Sequence, residues 1–233
     1  MKVDALDIDG SYLIRPTIFP DDRGLFLEVL SQPAFAEAVG RPFPVAQVNC
    51  TSTVRGTIRG LHAVALPPGQ AGYTTCVNGA VLDIVVDVRV GSPTFGRHHA
   101  VVLDDQERHA LYLAEGLAHG FAPLTDEATV LYLSSRLHSG TGAIGVNALD
   151  PDLALPWPDG GGEPRLSDKD RAAPTLREAA RSGLLPGYAE CRRQYALDRD
   201  AAARRDQDGA GRRDQDAAGR RDQDGAARRD RVG

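Results

Sequence analysis

The sequence predicts a mainly β protein, a sandwich or barrel, carrying short C-terminal helices and a disordered tail. Short β-branched runs recur along it: "AVLDIVVDVRV" (80–90), "HAVVL" (99–103), "ALYLA" (110–114) and "TVLYLSS" (129–135). Turn signals such as Val77-Asn78-Gly79, "GSPTFG" and Asp104-Asp105 separate them. Helical periodicity is scarce, and 25 glycines and 15 prolines favour turns over long helices. Many short strands with little helical pattern define a sandwich or a barrel.

In chain order, "QPAFAEAVG" (32–40) is the first helical segment, and the four strand runs follow it. A second helix is expected over "APTLREAARSGLL" (173–185), with Pro174 opening it and Gly183 stopping it. From Arg204 the chain repeats units of eight, "RRDQDGAG", "RRDQDAAG" and "RRDQDGAA", then "RRDRVG". Each full unit sets two arginines against two aspartates and holds no apolar residue larger than alanine. Burial therefore cannot offset the entropy of ordering it. Glycine in every full unit weakens a charged helix, and no apolar stripe offers a partner a docking face. The expected organisation is one domain over 1–198 and a disordered tail over 199–233.

A hydrophobic fraction of 42% supplies one sizeable core. A net charge of −5, with cations gathered in the tail, argues against a nucleic-acid partner. No apolar run approaches the roughly 20 residues of a membrane span. The N-terminal "MKVDALDIDG" lacks a signal peptide's apolar segment, so the expectation is a soluble, cytoplasmic protein without a membrane partner. Cys50, Cys76 and Cys191 are odd in number and widely spaced, matching neither a disulfide framework nor a CxxC metal site. Buried thiols are expected.

Chemistry is sought first among six histidines. His98 and His99 are adjacent, so a strand points one inward and one outward, and His109 sits in the polar turn "DDQERHA". His62 in "RGLH" and His119 in "EGLAHGF" stand next to apolar residues near glycine and are candidates to face a barrel interior. On an apolar face a histidine is more often a hydrogen-bonded core residue than a functional one. A metal site wants three or four converging ligands, and these two histidines bring no third, so no metal and no cofactor is expected. Proton transfer needs less: a histidine base, a carboxylate on its other ring nitrogen, and an acid on the opposite face. His62, Asp170 in "LSDKD" and Tyr132 in "VLYLSS" offer those three roles.

The motifs "DDRGLFLEVL", "QVNCTSTVRGTIRGLH", "PPGQA", "NGAVLDIVVDVRVGSPTFG", "LAEGLAHGF", "LYL", "DPDLALPWP" and "PRLSDKD" occur in one order from about Leu6 to about Leu185. In order and spacing they resemble the dTDP-4-dehydrorhamnose 3,5-epimerases, the RmlC-like cupins. "VLDIVVDVRVGSPTFGR" and "VVLDDQER" are particularly similar to the deoxysugar 3- or 5-epimerases of antibiotic biosynthesis. The resemblance implies a cupin jelly-roll barrel, a homodimer, no metal, and a dTDP-4-keto-6-deoxyhexose substrate epimerised at C3 and/or C5 through an enolate. It further implies His62 as base, Asp170 as its carboxylate partner, Tyr132 as the opposite acid, and His119 near the sugar carbonyl. Arg59 and Lys169 match diphosphate contacts, and Gln47 and Asn49 match the wall around the nucleotide. Arg23, Phe26 and Glu28 match a segment, 21–30, that completes the neighbouring subunit's site.

Departures cluster at one pocket. After "PPGQA" the family places a lysine that reaches the enolate oxygen, and this chain has Gly72. Loss of one such donor costs about 10²–10³ in rate by analogy with oxyanion holes, and Tyr73, Thr74 and His119 are the candidates to replace it in part. Beyond Tyr132, His138-Ser139-Gly140 and Ala143 replace a tyrosine, a proline and a glutamate, the tyrosine being the aromatic that holds the thymine. Ala63-Val64 replaces the family's glutamine after "RGLH". The expected activity is a nucleotide-sugar epimerase. The second reading is a catalytically weakened ketosugar-binding homologue that supports a partner enzyme.

Overall fold

The computed structural model describes residues 1–67, 69–137, 142–201 and 203–204. The chain divides into a unit over Met1–Arg193 and a second from Gln194 onward. In the first unit the strands are β1 (Lys2–Ala5), β2 (Ser11–Arg15), β3 (Ile18–Asp21), β4 (Gly24–Leu27), β5 (Gln47–Val54), β6 (Arg59–Val64) and β7 (Gly72–Asn78). They continue with β8 (Ala80–Asp87), β9 (His98–Asp104), β10 (Ala110–Leu113), β11 (Leu117–Pro123), β12 (Glu127–Ser134) and β13 (Ala143–Gly145). Helix α1 (Gln32–Val39) precedes β5, and α2 (Asp168–Arg171) and α3 (Leu176–Arg181) follow β13.

Two antiparallel sheets form the jelly roll that the sequence predicts: β1-β2-β10-β7-β12-β5 and β13-β6-β11-β8-β9. Period-2 alternation sorts their side chains. On β8, Val81 and Val85 point between the sheets and meet Leu103, Leu111, Leu117, Phe121 and Val130. The alternate residues Ile84 and Val86 point outward with Leu61, Ala118 and Ile144, where Leu153, Leu176 and Ala179 of the C-terminal segment cover them. The five-stranded sheet is therefore buried on both faces, which is why "AVLDIVVDV" reads as a nearly continuous apolar run.

Both expected helices form, each shorter than or equal to its predicted span. Gly40 ends α1 in the left-handed conformation (φ 75°) with its N–H on the Ala36 carbonyl. The N-cap of α3 is Thr175, in a capping box with Glu178, rather than Pro174. The short α2 and a helical stretch over 188–193 escaped the pattern. In the second unit residues 194–201 are helical, so helix extends past the expected boundary at 198. Alanines and arginines in "DRDAAARR" account for that. The rest of the expected tail, from 205 on, lies outside the described residues. Cys76 and Cys191 are buried as expected, but Cys50 is exposed, because β5 is an edge strand and residue 50 falls on its outward parity. Among the described residues no helix is long and apolar enough to cross a membrane.

Candidate active site

The two "Gly-plus-His" motifs become neighbours in space. His62 on β6 pairs in register with His119 on β11, while Arg59 pairs with Phe121. Three residues on β6 thus span two on β11, a β-bulge that puts Arg59 on the same face as His62, although a spacing of three would otherwise send them to opposite faces. Gly60 makes the bulge possible. Its φ is +135°, and a Cβ there would stand 2.5 Å from the Gly120 Cα and 2.8 Å from the His119 carbonyl oxygen. Neither glycine tolerates a side chain without parting the two strands.

His62 and His119 open on a cleft of about 280 Å³ between the sheets. Gly72, Thr74 and Tyr132 line it from the six-stranded sheet, where Thr74 is the register partner of Tyr132 and Gly72 that of Ser134. Ala63, Val64, Ala143, Ile144 and Lys169 complete the wall beside His62. His62 Nε2 stands 2.6 Å from Asp170 Oδ1. The ring is half exposed to the cleft (46%) while the carboxylate is buried (6%), so the partner is fixed and the ring is accessible. Asp170 is held in turn by α2, whose N-cap Ser167 accepts the Asp170 backbone N–H at 3.1 Å.

His119 carries a second carboxylate that the sequence reading missed. Its Nδ1 lies 3.2 Å from Asp83 Oδ1, and Asp83 is fully buried on β8. Burial disfavours the imidazolium, but the charge and hydrogen bond of Asp83 outweigh it and hold the His119 pKa above the usual histidine range. A signal was present: Asp83 shares the inward parity of Val81 and Val85, and a carboxylate in an apolar strand requires a partner.

The expected nucleotide residues adjoin this cleft. On β5, Asn49 is the register partner of Tyr132 and Gln47 that of Ser134, and Gln47 Nε2 donates to Asn49 Oδ1 at 2.7 Å. Arg59 Nε donates to Thr53 Oγ1 at 2.8 Å, tying β6 to the polar inner face of β5. The structure does not bring Arg23, Phe26 or Glu28 to the cleft of their own chain. All three are exposed in or beside the β3–β4 hairpin, with Arg23 bonded to Asp21. Tyr73 cannot substitute for a lysine at position 72, since it points to the other face of β7 and donates to the Val29 carbonyl. His138 lies outside the described residues. Among those residues no group of three or more His, Cys, Asp and Glu side chains is arranged to hold a metal.

A jelly roll whose one sheet offers a histidine–carboxylate pair and whose other offers a phenol defines a cupin-type protein with an imidazole and a phenol lining one cleft. The chain belongs to the dTDP-4-dehydrorhamnose 3,5-epimerase family, whose model matches residues 5–178. It is 50% identical over 82% of its length to a dTDP-4-dehydrorhamnose 3-epimerase of Streptomyces niveus, covering 91% of that protein. It is 48% identical to the dTDP-4-dehydrorhamnose 3,5-epimerase of Mycobacterium tuberculosis, over 83% of this chain and 96% of that protein. The solved rmlC epimerase of M. tuberculosis superimposes with a TM-score of 0.83 at 47% identity, covering 85% of this chain and 100% of that one. The 3'-monoepimerase of Streptomyces bikiniensis, solved with dTDP-quinovose, gives 0.80 at 48% identity, with 83% and 98% covered.

Proposed function

We propose that the protein epimerises a dTDP-4-keto-6-deoxyhexose at C3 and/or C5 in deoxysugar biosynthesis. The observation that carries this reading is the 2.6 Å His62–Asp170 pair facing a cleft that Tyr132 lines from the opposite sheet. The C4 ketone acidifies the protons on C3 and C5. His62, oriented by Asp170, removes one, and the electron pair moves through the new C=C bond onto the C4 oxygen. The Tyr132 hydroxyl returns a proton to the other face and the ketone reforms. His119, whose Nδ1 faces Asp83 and whose pKa that carboxylate raises, orients and polarises that oxygen.

Arg59, Gln47 and Asn49 form the polar strip that would take the diphosphate and nucleotide. A His→Asn, Tyr→Phe double variant of the S. bikiniensis enzyme was solved with dTDP, and its two replaced positions lie as far apart in sequence as His62 and Tyr132 do here. A homodimer fits the exposed apolar residues Phe19, Leu25 and Phe26 of the hairpin and Val48 and Val54 of β5, with Arg23, paired to Asp21 in its own hairpin, and Glu28 on the exposed segment that would approach a second copy's cleft. The activity is tested by incubating the protein with dTDP-4-keto-6-deoxyglucose in D₂O. Deuterium at C3 or C5 is the expected result, and exchange at neither carbon refutes the reading. Kinship at about 50% identity with curated epimerases gives the weakened-homologue alternative no support. How fast the enzyme runs with Gly72 is measured by the same exchange.

A further inference from the structure

We infer that Thr74 and Ser134 hold the C2 hydroxyl of the sugar and so make the enzyme select substrates that carry one, an assignment that rests on the epimerase reading. Strands β7 and β12 set the two side chains together: Thr74 is the register partner of Tyr132 and Ser134 that of Gly72, so the two hydroxyls lie diagonally across one face of the sheet. Both residues line the cleft. Thr74 is 2% exposed and Ser134 8%, yet neither hydroxyl makes a hydrogen bond among the described residues. A buried hydroxyl ordinarily has a partner, and one left without is destabilising. Neither oxygen is sealed from water, so the missing partner enters from the cleft. Gly72 leaves room for it between the two, since no atom lies within 4 Å of where its Cβ would be.

The other polar side chains of the lining have work of their own. His62 is bonded to Asp170, His119 to Asp83, and Gln70 Nε2 donates to the Arg136 carbonyl at 2.8 Å. Tyr132 is the proposed acid, and the Lys169 ammonium suits the diphosphate. That division decides which substrate oxygen remains. The diphosphate is attached at C1, the C4 oxygen falls to His119 and C6 is a methyl group, so the unassigned oxygens are the hydroxyls on C2 and C3. Inversion at C3 swings its hydroxyl to the other side of the ring, whereas C2 keeps its configuration throughout. Two hydroxyls fixed on a sheet suit the substituent that does not move. Each hydroxyl both donates and accepts, so Thr74, Ser134 and the sugar hydroxyl bond in turn without any charge. A sugar with only hydrogen at C2 leaves both side chains unpaired, and a site built to bond a hydroxyl rejects such an analogue strongly.

The test measures kcat/KM and solvent deuterium incorporation with dTDP-4-keto-6-deoxyglucose and with its 2-deoxy counterpart, for wild type, Thr74→Val, Ser134→Ala and the double variant. Wild type is expected to favour the 2-hydroxylated sugar by about 10²-fold or more. Each single variant should narrow that ratio by about tenfold, and the double variant should bring it to within about threefold of unity. Thr74→Val keeps the shape of the side chain, and thermal melting checks that each variant folds. A wild type that treats the two sugars alike overturns the assignment, as does a preference that survives in the folded double variant. An equal loss of rate with both sugars overturns it too, because the hydroxyls would then serve the C4 oxygen that both sugars share. Exchange with neither sugar, in a wild type that still binds dTDP, overturns the epimerase reading itself, whereas exchange with both at one rate overturns only this assignment.

Discussion

At the residue scale, two histidine–carboxylate pairs stand side by side with different work to do. On the proposed mechanism the accessible His62 ring accepts a proton, so its buried Asp170 matters for orientation and for the imidazolium that forms. Asp170→Asn is expected to lower kcat about 10²–10⁴-fold with little change in melting temperature, read by steady-state kinetics and calorimetry. His119 is arranged the other way, its pKa raised by Asp83. Since the charged form then survives to higher pH, activity should fall only as pH rises through that raised value. Asp83→Asn should move the fall to lower pH, visible in the pH–rate profile and in an NMR titration of His119. The same linkage gives the pair's stabilising contribution in full below the unfolded histidine pKa and removes it as pH rises through the folded value. His62, Tyr132 and Asp170 were candidates in the sequence because proton transfer calls for those residue types, whereas Asp83 was hidden inside "AVLDIVVDV" by its apolar neighbours.

At the element scale, β6 and β11 supply the precision. The close approach of Gly60 and Gly120 and the bulge between the strands set Arg59 and His62 on one face. Gly60→Ala puts a Cβ into the Gly120 backbone and removes a left-handed φ that favours glycine, at a cost of about 3 kcal/mol or more. A fall in melting temperature of about 6–12 °C is expected from calorimetry, with loss of exchange activity. The strands β8, β9, β10 and β12 were legible because both faces or one face of each is apolar. β5 was not, and for a physical reason: its alternation is inverted, with Gln47, Asn49, Thr51 and Thr53 turned inward to the polar strip and Val48, Cys50 and Val54 outward. An inverted pattern on an edge strand is itself a mark of a binding face with a second surface behind it.

At the scale of the whole molecule, that outward apolar surface and the β3–β4 hairpin bear on assembly. Phe26 is 64% exposed and Phe19 53%, more than a lone hairpin gains from leaving bare. A dimer is expected by light scattering, and Phe26→Asp should shift it to monomer and raise KM by removing Arg23 and Glu28 from the neighbouring cleft. A sandwich or barrel was legible from strand spacing and turn residues, and the family resemblance narrowed it to a jelly roll. The short α2 left no periodic signal of its own, although the resemblance already set Asp170 beside His62 on β6.

The proposed base and acid arise from different sheets, His62 from β6 and Tyr132 from β12. The hydrogen taken from carbon and the hydrogen given back therefore never share one atom of the protein. This keeps the abstracted hydrogen out of the inverted sugar: with protiated substrate in D₂O, label should enter the inverted sugar first and the recovered starting sugar only later. Mass spectrometry of the two pools at early times decides it. Equal labelling of both from the outset would mean that a single group serves both faces.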